Sequence, residues 1–129
     1  MKKRILIALA LLGGLSLAPA RADMTYFGQA AASGDVQIKP QAVPTSSTVV
    51  TSYDAWLSTI TITNTTGSAV TVTVADQQAS PVKLLNSVSI AANTTYVVTF
   101  PAKKEYWLPG GFTIQAGGSG LNFFAAWRQ

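Results

Sequence analysis

Between residues 56 and 75 apolar and hydroxyl side chains take turns along the chain. Ile60 and Ile62 sit among Thr59, Thr61 and Thr63, and Val70, Val72 and Val74 sit among Thr71 and Thr73. A period of two matches a strand with one buried face and does not match a helix, whose faces repeat every three to four residues. Asn64-Thr65-Thr66-Gly67-Ser68 separates the two runs with turn-forming residues. The pattern predicts a β-hairpin in which Ile62 lies opposite Val70, Ile60 opposite Val72 and Ser58 opposite Val74, all on the buried face. Thr61 then faces Thr71, and Thr59 faces Thr73, on the exposed side.

The same grammar continues to the end of the chain. Strands are expected over residues 82–85, 87–90, 94–100, 112–116 and 121–127, parted by Asn86, Asn93, Pro101, Pro109-Gly110-Gly111 and Gly117-Gly118-Ser119-Gly120. In the last strand Leu121, Phe123, Ala125 and Trp127 point to one side as core, and Asn122, Phe124, Ala126 and Arg128 to the other. Residues 23–47, with Ala30, Ala31 and Ala32 and then Gly34, Pro40 and Pro44, are less regular and read as an extended arm with short strands. The expected fold is all-β, a two-sheet antiparallel β-sandwich of Ig-like or jelly-roll-like type with seven to nine strands over residues 48–129.

Residues 1–22 follow a different pattern. Lys2, Lys3 and Arg4 precede an apolar run from Ile5 to Ala18, and Ala20 and Ala22 place small side chains around Arg21. Charge, apolar run and small residues in that order form a secretory signal peptide, with cleavage expected between Ala22 and Asp23 and, as the alternative, after Ala20. The run falls short of the about 20 residues a membrane-spanning helix needs, and no second such run follows, so no transmembrane helix is expected in the mature chain. The expected location is the periplasm, the cell surface or the extracellular space.

Removing that segment changes the charge. Lys2, Lys3, Arg4 and Arg21 account for four of the nine basic residues. Those that stay, Lys39, Lys83, Lys103, Lys104 and Arg128, are balanced by Asp23, Asp35, Asp54, Asp76 and Glu105. Nucleic-acid binding draws its affinity from clustered cations on phosphates, and a neutral chain with a single Lys-Lys pair does not supply them. A net charge near zero also leaves little repulsion to oppose self-association.

With no His and no Cys in the chain, Ser-His-Asp and Cys-His nucleophile systems, His or Cys zinc sites and disulfides are excluded. No Gly-rich loop opens a helix as a nucleotide cradle would require, and no cofactor is expected. Paired carboxylates are the remaining catalytic option. The expected hairpin brings Asp54 and Asp76 to one end of a sheet, where they are calcium candidates or, more simply, strand-ending loop residues. Asn64-Thr65-Thr66 and Asn93-Thr94-Thr95 match the glycosylation acceptor pattern, and both are also ordinary turn sequences.

Two places suggest contact with a partner. Lys103-Lys104-Glu105-Tyr106-Trp107 joins charge to large aromatic rings, which either supply contact area to a partner at small entropic cost or, more often, plug one end of a sandwich. Phe124 is left on the mixed face of the last strand, where a neighbour such as Trp107 would create a sticky patch. Lys103, Lys104, Tyr106, Trp107 and Phe124 are therefore the interaction candidates, and no residue is assigned a catalytic role.

Ile60-Thr61-Ile62-Thr63-Asn64, the run from Ser89 to Val98 and the run from Gly110 to Ala116 resemble the small β-sandwich modules of tailed-phage virions and of related bacterial surface proteins. The resemblance implies a non-enzymatic assembly or interaction module. The expected function is that of an exported structural or binding module that associates with itself or with another surface protein. The alternative is a carbohydrate-binding or carbohydrate-active domain with a glycan as partner.

Overall fold

The computed structural model describes residues 35–129, which form nine strands in two antiparallel sheets and no helix. The strands are β1 (Asp35–Ala42), β2 (Thr48–Thr51), β3 (Ala55–Asn64), β4 (Val70–Asp76), β5 (Lys83–Ile90), β6 (Thr95–Thr99), β7 (Tyr106–Leu108), β8 (Phe112–Ala116) and β9 (Leu121–Arg128). The five-stranded sheet runs β1-β9-β3-β6, with β7 also paired to β3, and the four-stranded sheet runs β2-β8-β4-β5. The fold is a β-sandwich. The expected signal peptide and its cleavage site between Ala22 and Asp23 lie outside the described residues.

The alternation in sequence becomes a division between core and surface. Ile60, Ile62, Val72 and Val74 are fully buried, Val70 packs against the same core, and Leu121, Phe123, Ala125 and Trp127 face inward from β9. Each fully buried Val, Leu, Ile or Phe among them contributes about 1.5–3 kcal/mol when removed from water. Trp127 sets its ring edge-on to Phe112 at 5.4 Å, which ties the two sheets at one end.

β3 and β4 do not form the expected hairpin. β3 pairs with β9, β6 and β7, while β4 pairs with β5 and β8 in the other sheet. Ile60 and Ile62 therefore meet Val72 and Val74 across the core instead of beside them, and the threonine rows lie on opposite outer faces. The connecting residues 65–69 form an arch whose polar groups are committed elsewhere. Thr65 N–H donates to Gly120 O at 2.9 Å, and Thr66 O accepts from Asn93 N–H at 3.1 Å. Asn64, 1% exposed, holds the arch: its Nδ2 donates to Ser68 O at 2.8 Å and to Ile90 O at 2.9 Å, and its Oδ1 accepts from Thr66 N–H and Thr66 Oγ1. With both amide hydrogens engaged in the interior, Asn64 in the folded chain is a structural residue and not an open acceptor for a glycan.

Three further differences shape the surface. The expected arm includes a strand of the sandwich, since β1 pairs along β9 and buries Val36 and Ile38. The two strands expected over 82–85 and 87–90 are one, β5, irregular where Ser87 takes a φ of 50°. A short strand, β7, forms at Tyr106–Leu108, where no strand was expected.

Candidate interaction surface

A register shift between Leu57 and Thr59, where β3 meets β9, decides what the five-stranded sheet shows to solvent. Strict alternation would send Trp56 inward with Ile60 and Ile62. The bulge at Ser58 reverses the parity, so Leu57 is fully buried and Trp56 turns outward. β7 then places Trp107 directly opposite Trp56. The two indoles stack with centroids 5.9 Å apart and planes 23° from parallel, and they remain 40% and 51% exposed.

Arg128, at the end of β9, brings its guanidinium to 6.0 Å from the Trp56 ring and to 3.8 Å from the Glu105 carboxylate. The cation–π contact contributes about 0.5–1 kcal/mol at such an exposed place. The Glu105 carboxyl is held below the usual carboxylate range, first by its own backbone N–H and further by the N–H of Lys103 and the charge of Arg128, against the opposing effect of desolvation. Across the same outer face Val97 and Phe124 lie on either side of Thr61. Val97 is 56% exposed and Phe124 is half-buried. Thr59 and Thr63 complete the rows and bond through their hydroxyls to Thr99 and Thr95.

The interaction candidates read from the sequence divide on this geometry. Trp107 and Phe124 share the outer face. Tyr106, opposite the buried Leu57, faces the core side and packs against Phe100 at 5.6 Å. Lys103 and Lys104 are exposed in the turn before β7, where Lys103 adopts a φ of 67° and Lys104 N–H closes onto Pro101 O. Trp56 and Val97 were not among those candidates. Trp56 had no signal in the sequence, because the bulge that exposes it depends on β9.

Asp54 and Asp76, the calcium candidates, are both used by backbone. Asp54 Oδ1 accepts from Gly110 N–H at 2.6 Å, and Asp76 Oδ1 accepts from Val82 N–H at 2.8 Å and from Gln78 N–H at 3.4 Å. Trp56 is not opposite Asp76 as the hairpin register required, since Asp76 pairs with Phe112. Among the described residues no three of His, Cys, Asp and Glu gather where they could hold a metal. The outer face of the four-stranded sheet carries an open groove of about 520 Å³, lined by Thr73, Asp76, Lys83, Thr113 and Gln115 among others. Its single carboxylate, Asp76, is the one already engaged with Val82 and Gln78.

No helix among the described residues is long and apolar enough to cross a membrane. Comparison with protein-family models, with curated proteins and with solved structures returns no match for this chain.

Proposed function

We propose that this chain is an exported, non-enzymatic module that self-associates through the outer face of its five-stranded sheet. The observation that carries the reading is the concentration of exposed apolar surface there: Trp56, Trp107 and Val97 turn to one side together with Phe124. Large apolar groups exposed on one face mark contact surfaces. The balance of charge in residues 23–129 adds no repulsion between copies. The resemblance to virion and surface sandwich modules agrees with an assembly role.

Light scattering on protein expressed from the full chain, across a wide concentration range, tests this. The mass should rise with concentration, and Phe124→Glu should stay folded and associate less, because it forces an unpaired carboxylate into a contact that excludes water. A strictly monomeric protein at about millimolar concentration, the range of the weakest specific contacts, rejects the reading.

Glycan binding is the second reading, and the stacked Trp56–Trp107 pair beside the Arg128–Glu105 ion pair favours it. Flat aromatic surface next to hydrogen-bonding groups suits a sugar ring. Quenching or blue shift of tryptophan fluorescence on titration with soluble polysaccharides, lost in Trp107→Ala, would support it over self-association.

A further inference from the structure

The outward backbone groups of β6, unpaired among the described residues, point to a second contact beside the aromatic face, with which it shares the side chain of Val97. Among the described residues four strands bound the two sheets along most of their length, and three of them carry features that discourage pairing with another chain. β1 contains Pro40 and a register shift between Ile38 and Gln41. β2 is four residues long and is itself shifted between Val49 and Thr51. β5 begins with Lys83, and its pairing with β4 shifts twice. β6, Thr95-Tyr96-Val97-Val98-Thr99, has no charge, no proline and no bulge, and it pairs with β3 in unbroken register.

The hydrogen-bonding groups on that edge can be assigned. Thr94 O accepts from Asn64 N–H, and Phe100 N–H donates to Ser58 O, each at 2.8 Å. Alternate residues of a strand bond to opposite neighbours, so Thr94, Tyr96, Val98 and Phe100 address β3. The N–H and C=O groups of Thr95, Val97 and Thr99 point the other way, and no strand among the described residues pairs with them.

We infer that β6 pairs antiparallel with β6 of a second copy about a two-fold axis through Val97. The strand is complementary to itself in that register: Thr95 meets Thr99, Tyr96 meets Val98, and Val97 meets Val97. This is the matching a closed two-fold interface demands. The outward groups of Thr95, Val97 and Thr99 then make about six interchain hydrogen bonds. The two five-stranded sheets become one, and the Trp56–Trp107 faces of both copies lie on the same side.

The test separates this edge from the aromatic face by disabling the face first. Protein carrying Phe124→Glu should still be a dimer by light scattering. Adding Val97→Pro should make it monomeric. The lost N–H points away from β3, so the substitution leaves the β6–β3 ladder intact. Adding Val97→Lys should do the same by setting two ammonium groups opposite one another on the axis, and the exposed position tolerates the side chain. Circular dichroism and thermal unfolding should show both variants folded. If Phe124→Glu alone is already monomeric, the β6 pairing is wrong although the face reading stands. If the dimer persists in both folded Val97 variants, the pairing is wrong as well. A wild-type protein that never exceeds a dimer, keeps it in Phe124→Glu and in Trp107→Ala, and loses it in Val97→Pro, which removes an edge N–H but leaves an apolar side chain on the face, removes the face reading and keeps this one.

Discussion

Asn64, the last residue of β3, donates a 2.9 Å hydrogen bond to the carbonyl of Ile90, the last residue of β5, and so joins the two sheets through a side chain in the interior. The same amide closes the arch onto Ser68 and Thr66. Asn64→Ala should therefore cost about 3 kcal/mol, because it strips partners from several polar groups of which the Ile90 carbonyl is buried. Urea unfolding of the variant beside the wild type measures this. Thr65→Ala, which loses one exposed hydroxyl bond to Gly120 O, should cost less than about 1 kcal/mol.

Ile60 and Thr71 test the division between faces. Ile60 is fully buried, and Ile60→Ala should destabilise by about 2–5 kcal/mol, the cost of lost transfer energy plus a cavity. Thr71 is exposed on the outer face of the four-stranded sheet, and Thr71→Ala should shift stability by no more than about 0.5 kcal/mol. Equal effects at the two positions in denaturant titrations would contradict this assignment.

Gly111 occupies a position only glycine can fill. Its φ is +89°, and a Cβ there would overlap the backbone carbonyl of Thr51, so the strand ends of β2 and β8 would have to separate. Gly111→Ala should cost about 3 kcal/mol or more and lower the yield of folded protein. Gly67 lies in open space without a positive φ, and Gly67→Ala should leave the midpoint of thermal unfolding nearly unchanged.

Glu105 gives the turn before β7 a dependence on pH. Its folded pKa is lowered, first by its own backbone N–H, so the unfolded chain takes up the proton at a higher pH than the folded one. The stability from the ionised carboxylate is therefore complete at neutral pH and is lost as the pH falls through the folded value. An NMR titration of the Glu105 side chain should give a midpoint below that of an unstructured peptide. Arg128→Met should raise it slightly, since the Arg128 charge is the smallest of the lowering causes.

The alternation of Ile60, Ile62, Val72 and Val74 with threonines determined by itself which side chains are buried, because a strand sends neighbouring residues to opposite sides whatever it pairs with. The parity of β9 was legible for the same reason, as was the class of fold, since many short half-apolar strands can bury their faces only against one another. Which strand lies beside which was not legible. A hairpin and an arch satisfy the alternation of β3 and β4 equally well, and the choice fell to bonds from Asn64, Thr65 and Thr66 to residues far along the chain. The candidate surface depended on tertiary structure still more. Trp56 faces outward only because β3 bulges against β9, and it meets Trp107 only because β7 pairs with β3. β6 ends the sheet because, among the described residues, it pairs with β3 and with no other strand. Side-chain parity is a local property of the backbone, whereas bulges, strand neighbours and edges are settled by segments that meet only when the chain has folded.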